Sequence, residues 1–338
     1  MHDLTRRGAL GGIVALGTAA PAVAATALRP IPISSFATVA EGLKVPEGVA
    51  ADRAGNVYVS NQESSCVIIK PDGTQRHVGP PGASNGIALD GKGGLLIARF
   101  GLLHDGPGPL LRLDLETGAI EEVAGKIDGR MLVASNFPAV SRDGSVYCSH
   151  SRWDQSGNIG DRRPDGFVYR AAKGGVTVVG KGIRGANGLC FDRDERHLYV
   201  AQTGAGNVLR MRRLGADRFG PPEPYGPVLG RVIADEDIAQ VRARIAAGDR
   251  DLGYSDGMAV DVDGNLWVTL PFANKVVAIT PDRRVVTVVS DPQAQLMDMP
   301  TNLAFGGPDL RDLYIVSRLR ENVIRARSPV AGLPIVGQ

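Results

Sequence analysis

The chain has 338 residues, of which 43% are apolar and 22% are charged, a composition typical of a globular protein that excludes a disordered or collagen-like chain. Lysine and arginine total 38 while aspartate and glutamate total 36, so no basic excess indicates a nucleic-acid partner. Glycine (44 residues) and proline (22 residues) are spread along the chain, which indicates many turns between short strands.

The first 24 residues have the pattern of an export signal. Arg6 and Arg7 precede an apolar run rich in glycine and alanine, and small residues at 22–24 offer a cleavage site. We expect a twin-arginine-type signal over 1–24 and a periplasmic or secreted protein. The run is shorter than the roughly 20 residues that a bilayer span needs, so we expect no stable membrane span after leader removal. Residues 25–338 are then expected to form one domain.

Six segments of the remaining chain share one pattern: a polar residue, a short apolar stretch, an Asp/Gly turn and a β-rich run. Their opening residues are Glu47, Asn85, Asn136, Asn187, Asp256 and Asn302. Alternating apolar residues around a turn such as 263–265 predict two antiparallel strands, and 275–279 and 285–289 predict a third and a fourth. Four antiparallel strands per repeat, arranged radially, predict an all-β, six-bladed β-propeller.

Two segments depart from the repeat. At 33–43 there is strand character but no opening residue, and we expect this strand to complete the last blade and close the ring. At 235–247 three apolar residues, Ile238, Val241 and Ile245, recur at helical spacing. This helical insertion is expected either to cap the channel or to decorate the rim.

The three cysteines, Cys66, Cys148 and Cys190, each lie in an apolar strand-like run. An odd number cannot pair completely, and a chain that folds before export does so in a reducing compartment. We therefore expect buried free thiols. No cysteine or histidine spacing indicates a zinc site of the finger type.

The six opening residues matter because the innermost strand of every blade lines the propeller axis, so equivalent residues converge there. Two of the six are acids and four are amides, all of them oxygen donors. Such hard ligands suit Ca²⁺ best, with Mg²⁺, Mn²⁺ or Zn²⁺ as alternatives. The competing interpretation is that these are turn residues, because three of them form Asn-Gly or Asp-Gly pairs.

Several of these segments resemble the family of gluconolactonase, regucalcin (senescence marker protein) and luciferin-regenerating enzyme. The similar motifs are 46–48 (PEG), 186–188 (ANG), 255–258 (SDGM), 265–268 (NLWV) and 301–307 (TNLAFGG). The resemblance covers nearly the whole mature chain and implies a six-bladed propeller with one catalytic divalent cation. The residues that it implies as metal ligands are Glu47, Asn136, Asn187 and Asp256.

The same resemblance bears on substrate binding. Sugar lactonases of the family carry a substrate-binding arginine two residues before the asparagine of the third blade, where this chain has Ala134, and an acidic residue in the following loop, where it has Asp154. Our candidate substrate-binding residues are the two remaining openers, the acid of that loop and two histidines near the channel mouth. They are Asn85, His104, His150, Asp154 and Asn302. Either histidine offers a competing general base.

These observations predict a metal-dependent hydrolase of a lactone or related ester that takes a small-molecule substrate. The cation is expected to polarise the carbonyl, Asp256 to activate water, and Glu47 to hold the ion while the amides supply neutral oxygens. Two alternatives remain at this point. One is a non-catalytic exported propeller that binds a small ligand or partner, and the other is a metal-free propeller similar to strictosidine synthase.

Overall fold

The structure is a computed structural model that describes residues 28–154, 162–172, 175–233 and 237–338. The export signal expected at 1–24 lies outside these residues. Within them, almost all regular structure is β-strand, arranged as six antiparallel blades around one axis. This confirms the predicted six-bladed propeller. None of the helices in the described ranges combines the length and apolar character needed to cross a bilayer.

The first half of the chain forms three blades, numbered from the inside outward. The N-terminal strand β1 spans Ala37–Ala40. Blade 1 comprises Val49–Ala51 (β2), Val57–Ser60 (β3), Cys66–Ile69 (β4) and Gln75–Val78 (β5). Blade 2 comprises Ser84–Leu89 (β6), Gly94–Arg99 (β7), Leu110–Asp114 (β8) and Ile120–Ala124 (β9). After a hairpin of Lys126–Ile127 (β10) and Arg130–Met131 (β11), blade 3 comprises Ser135–Val140 (β12), Val146–His150 (β13), Gly166–Ala172 (β14) and Gly175–Ile183 (β15).

The second half completes the ring. Blade 4 comprises Ala186–Phe191 (β16), His197–Gln202 (β17), Asn207–Gly215 (β18) and two short outer strands, Arg218–Phe219 (β19) and Glu223–Tyr225 (β20). Blade 5 comprises Met258–Val260 (β21), Leu266–Leu270 (β22), Lys275–Ile279 (β23) and Val285–Ser290 (β24). Blade 6 comprises Pro300–Gly306 (β25), Asp312–Ser317 (β26), Asn322–Arg327 (β27) and β1. The helices are Ile238–Ala246 (α1) and the 3₁₀ turns Ile33–Ser35, Gly101–Leu103, Thr203–Ala205 and Pro271–Ala273.

The N-terminal strand closes the ring. In blade 6, β1 pairs antiparallel with β27, with Ala37 opposite Arg325 and Ala40 opposite Val323. The first and last parts of the described chain therefore share one sheet, as expected for 33–43. Around the axis, each inner strand (β2, β6, β12, β16, β21, β25) packs against the next, and β25 packs against β2.

Glycines allow these inner strands to approach one another closely. A Cβ on Gly188 would lie 2.4 Å from the carbonyl oxygen of Asp256, and one on Gly257 would lie 2.6 Å from that of Thr301. Neither glycine has a positive φ. These glycines are therefore required by strand packing at the hub, and interpreting the 187–188 and 256–257 pairs as turns is wrong.

The hydrophobic core lies between neighbouring blades. Trp267 of blade 5 is fully buried and meets Phe305 of blade 6 edge to face, with ring centroids 5.3 Å apart. Cys66 and Cys148 are buried free thiols, as predicted, and burial raises the pKa of each to about 12. Cys190 is also free but partly exposed.

The lower part of the channel is apolar. It is lined by inner-strand side chains such as Val49, Ile87 and Leu189. The C-terminal segment crosses its far end, where the Gln338 side-chain amide donates to the carbonyl oxygens of Ala51 (2.9 Å) and Phe305 (2.7 Å). The polar opening residues lie at the opposite end of the channel, above this apolar floor.

Candidate functional site

Five of the six opening residues line one cavity of about 180 Å³ at the upper end of the channel. We name this cavity the mouth. The five are Glu47, Asn85, Asn136, Asn187 and Asp256. Each stands just before an inner strand or among its first residues, so the closed ring brings together side chains that are far apart in sequence. Further lining residues include Phe100, Ser151, Arg152, Thr203, Tyr254, Phe272, Met299 and Arg318.

The amides of Asn136 and Asn187 are oriented by the hydroxyl group of the residue that directly follows the second strand of their blade. Asn136 Nδ2 donates to Ser151 Oγ (2.9 Å), and Asn187 Nδ2 donates to Thr203 Oγ1 (3.1 Å). Ser151 Oγ itself donates to the carbonyl oxygen of Ala186 (2.7 Å). Because a hydroxyl has one hydrogen, Ser151 can only accept from Asn136, and the amide nitrogen must face it.

This orientation leaves two oxygens without a donor. Asn136 Oδ1 and Asn187 Oδ1 are both buried and accept no hydrogen bond. Leaving a buried polar atom unsatisfied costs about 1–3 kcal/mol, so such atoms indicate a missing partner or a functional role. A positively charged ligand in the mouth would satisfy both oxygens.

The other two asparagines of the ring are different. Asn85 Oδ1 accepts from the amide of Gly86 (2.9 Å), and Asn302 Oδ1 accepts from the amide of Leu303 (2.7 Å). Asn85 lines the mouth, whereas Asn302 is only 1% exposed and lies in the packed hub. Asn302 therefore has no access to a substrate in this arrangement, which corrects its assignment as a substrate-binding residue.

The two acids of the ring have different partners. Glu47 is 8% exposed, and its Oε1 contacts the guanidinium of Arg318. Burial raises the pKa of Asp256 to about 7, and a hydrogen bond with the Asn187 side chain opposes that rise. A cation beside Asp256 would favour its ionised form.

The donor set fits a hard divalent cation. Two carboxylates and two unsatisfied amide oxygens surround one cavity, and all four donors are oxygens, which Ca²⁺ prefers. Among the described residues, no group of three or more His, Cys, Asp or Glu side chains is placed to hold a metal. The site therefore depends on amide oxygens as much as on carboxylates.

Hydroxyl groups at the end of the second strand also form hydrogen bonds to backbone groups at or beside the opening residues. Ser60 Oγ accepts from the amides of Glu47 (3.0 Å) and Gly48 (2.8 Å). In blade 5, Thr269 Oγ1 lies within hydrogen-bond distance of the carbonyl oxygens of Gly257 (3.2 Å) and Thr301 (3.0 Å), and its one hydrogen is shared between them or directed at one. Ser60 thus fixes the backbone at Glu47, and Thr269 links the backbone beside Asp256 to the backbone beside Asn302 in the next blade.

The sequence analysis missed Arg318, Ser151 and Thr203, but their positions follow a rule. Ser151 follows its opener by 15 residues and Thr203 follows its opener by 16. Arg318 stands at the corresponding place in blade 6, directly after β26. In these three blades the residue directly after the second strand therefore lines the mouth, and this spacing could have identified all three.

The helical insertion packs behind the wall of the mouth. Helix α1 begins with a capping box in which Asp237 Oδ1 accepts from the amide of Gln240 (2.8 Å). On its inner side, Val241 packs in one cluster with Tyr254 and Phe272, which line the mouth. The insertion therefore supports the mouth wall rather than a distant part of the rim.

His150 does not reach the mouth. It is fully buried, stacks on Phe167 (ring centroids 4.6 Å apart), and its Nε2 accepts from the amides of Val133 (3.3 Å) and Ala134 (3.2 Å). Burial, with a smaller contribution from the charge of Arg130, lowers its pKa to about 3. His150 is a structural, neutral histidine, which corrects its assignment as a substrate-binding residue or base.

The burial of His150 predicts that the folded protein is less stable in acid. Unfolded histidine has a pKa of about 6.5, whereas the folded pKa is about 3. The unfolded chain therefore binds one more proton within this window, and the contribution of His150 to stability is lost as pH falls. Between pH 6 and 4 we expect the free energy of unfolding of wild type to fall by about 1.4 kcal/mol more per pH unit than that of His150→Gln. Urea unfolding from pH 7 to 4 measures this free energy for each protein. His104→Gln, at an exposed histidine, is the control. Parallel plots of unfolding free energy against pH for wild type and His150→Gln would contradict the prediction.

The other two candidates from the sequence also lie outside the mouth. His104 is exposed and lines a neighbouring cavity of about 430 Å³ together with Arg99. Asp154 is exposed, with an ion pair to Arg163 (2.7 Å). In this arrangement neither side chain lines the cavity that the openers share, so both assignments as substrate-binding residues are corrected.

A serine nucleophile is not indicated by the fold. The string GASNG at 82–86 has the Gly-x-Ser-x-Gly spacing of a nucleophile elbow. However, Ser84 is 1% exposed and begins β6, which continues as an inner strand rather than as a helix. The string lacks the strand–turn–helix geometry that exposes a catalytic serine.

Comparison with known proteins agrees with this architecture. A relative from Pseudomonas putida, 6-deoxy-6-sulfogluconolactonase, is 36% identical over 205 residues, which cover 54% of this chain and 66% of the relative. The chain spans about half to two thirds of the length of the first curated relatives that it matches.

Solved structures share the fold. A gluconolactonase from Xanthomonas campestris superposes with a TM-score of 0.67 at 19% identity, covering 87% of this chain and 89% of the other. A calcium-binding protein, regucalcin from Agrobacterium tumefaciens, superposes with a TM-score of 0.66 at 20% identity, covering 90% and 98%. The family model described as "SMP-30/Gluconolactonase/LRE-like region" matches residues 70–217 and 231–318, well over half of the chain. The protein therefore belongs to the SMP-30/gluconolactonase/LRE-like family.

Proposed function

We propose that this protein is a divalent-cation-dependent hydrolase of a lactone or a related ester, with the mouth as its active site. The observation that carries the proposal is the pair of buried, unsatisfied oxygens of Asn136 and Asn187 beside two carboxylates in one cavity. Family membership supports hydrolysis of lactones, and the calcium-binding relative supports Ca²⁺ as the ion.

The residues that would hold the cation are Glu47, Asn136, Asn187 and Asp256. When bound there, a divalent cation supplies a Lewis acid for the carbonyl oxygen of the substrate. The amide oxygens contribute no charge, so the donor set carries at most two negative charges and leaves the ion electrophilic. The hydrogen bonds from Asn136 and Asn187 to their hydroxyl partners hold these oxygens in place before substrate arrives.

Asp256 is the group that would move protons. A water molecule beside its carboxylate would attack the carbonyl carbon of the lactone while Asp256 takes up one of the water's protons. The ring C–O bond then breaks, and the proton passes from Asp256 to the leaving ring oxygen. One water is consumed, the product is a hydroxy acid, and the carboxylate is regenerated.

The walls of the mouth would set the environment of this reaction. Tyr254 is 1% exposed and Phe272 is 6% exposed, and their rings meet edge to face with centroids 5.1 Å apart. Below the openers the channel is apolar. These surfaces limit the amount of water near Asp256, which strengthens electrostatic interactions in the mouth.

The test is hydrolysis of a panel of lactones and aryl esters by protein purified without a metal-chelating tag. We expect EDTA to lower the rate by about 100-fold or more, since the cation supplies several kcal/mol of barrier lowering, and added Ca²⁺ to restore it. Metal content is measured in parallel by mass spectrometry, and Zn²⁺, Mn²⁺ and Mg²⁺ are compared with Ca²⁺. Full activity in EDTA would refute the metal requirement, and an inert panel with bound Ca²⁺ would favour a ligand-binding propeller.

A further inference from the structure

The charges of the mouth do not balance once a cation is present. Its charged lining residues are two carboxylates, Glu47 and Asp256, and two guanidiniums, Arg152 and Arg318. The counter-ion of Arg318, Glu47, lies inside the mouth itself. A divalent cation held by Glu47 and Asp256 engages both carboxylates and leaves the charge of Arg318 without full compensation, and such a cavity attracts an anion.

Arg318 is held in the mouth by its backbone and by its side chain. It follows β26, and its backbone amide donates to the carbonyl oxygen of Met299 (3.0 Å), another residue of the mouth. Its Nη1 contacts Glu47 Oε1, and 24% of its side chain is exposed. The contact with Glu47 is made through one terminal nitrogen, which leaves Nη2 available to a ligand oxygen.

Glu47 has a double role in this geometry. It is the internal counter-ion of Arg318 and also one of the two carboxylates that a cation would engage. When Glu47 binds a cation, less of its negative charge remains to compensate the guanidinium of Arg318. That guanidinium is partly buried, so water compensates its charge only in part. An anionic group of the ligand would restore that balance, and a guanidinium binds carboxylates, sulfonates and phosphates through paired hydrogen bonds.

We propose that Arg318 recognises an anionic group of the substrate, so that the preferred substrate is a lactone carrying a carboxylate, sulfonate or phosphate in addition to its ring ester. This inference rests on the proposed function, because it names the substrate class of the same mouth. It assigns Arg318 to substrate binding and selectivity, while Asp256 keeps the proton transfer.

The experiment compares two lactones that differ in one group. D-Glucaro-1,4-lactone ends in a carboxylate where D-glucono-1,4-lactone ends in a hydroxymethyl group. Titration calorimetry in saturating Ca²⁺ reports KM from the heat rate if the lactone is hydrolysed, and Kd from the binding isotherm if it is not. We expect wild type to prefer the glucaro lactone by about 10-fold or more in KM or Kd, the size of a charge-assisted hydrogen bond. In Arg318→Gln we expect the preference to fall below about 3-fold.

Two further variants separate charge recognition from structural damage. Arg320→Gln removes an exposed arginine two residues away, whose guanidinium donates to the carbonyl oxygen of Ala294, and it should keep the wild-type preference. Arg318→Lys keeps the charge without the planar fork and should give an intermediate preference, which tests the proposal even if the glutamine variant fails to fold.

The outcomes distinguish this inference from the proposed function. Equal affinity of wild type for both lactones, or full preference in Arg318→Gln, would overturn the role of Arg318. A preference that depends on Arg318 without any hydrolysis of either lactone would refute the lactonase proposal and leave the anion site standing.

Discussion

Replacing Asp256 with asparagine is expected to lower kcat/KM for lactone hydrolysis by about 1,000-fold or more. The substitution keeps the size and shape of the side chain but removes the charge that would take up a proton from water. It also removes one of the two carboxylates that would hold the cation. Both effects act on the transition state, so kcat should fall rather than KM alone.

The measurement is steady-state hydrolysis in saturating Ca²⁺, with a thermal unfolding curve for each protein. Asp154→Asn makes the same chemical change at an exposed residue outside the mouth and should leave kcat/KM within about 2-fold of wild type. If Asp256→Asn retained more than about a tenth of the activity, Asp256 could not be the base, because a general base contributes at least about 100-fold.

Replacing Gly188 with alanine is expected to destabilise the propeller by about 3 kcal/mol or more, the upper range for overpacking a close contact. The new Cβ would lie 2.4 Å from the carbonyl oxygen of Asp256, 3.1 Å from Gly257 Cα and 3.2 Å from the amide nitrogen of Met258. All three are backbone atoms at or just before the start of the neighbouring inner strand β21, so no side-chain rotation can relieve the clash. The contact should also displace Asp256 and lower activity.

Gly215→Ala is the matched control within the same blade. Gly215 ends β18, and a Cβ there would meet no atom within 4 Å. We expect its free energy of unfolding to stay within about 0.5 kcal/mol of that of wild type, the usual range for surface changes. Equal stability of the two variants in urea would show that the inner strands are not packed as closely as the structure has them.

Much of the fold follows from local pattern. Strands alternate with period two and are separated by Asp/Gly turns, and both signals are carried by adjacent residues, so the strands of the fifth repeat (β23, β24) could be predicted from sequence. The expected closing strand at 33–43 was found as β1 because a ring of repeats needs a last partner. The opening residues were found because they stand at one phase of every repeat.

The assignment of roles within the ring was not accessible in the same way. Asn136 and Asn302 are both asparagines at the same phase, yet the first presents a free oxygen and the second bonds to its own strand. The difference depends on whether a hydroxyl such as Ser151 stands beside the amide and where that hydroxyl sends its hydrogen. The spacing of the repeat indicates where the hydroxyl stands, but the direction of its hydrogen depends on a contact with the next blade, which leaves no local signal.

The amino-acid sequence by itself determined that this protein is a propeller with a ring of oxygen donors, because repeat phase and strand period are properties of neighbouring residues. Only the tertiary structure decided that Arg318 meets Glu47, 271 residues away, and that His150 is buried instead of facing the mouth. The physical reason is that ion pairing and burial depend on how closely the blades pack around the axis, and that distance is set by the whole ring at once.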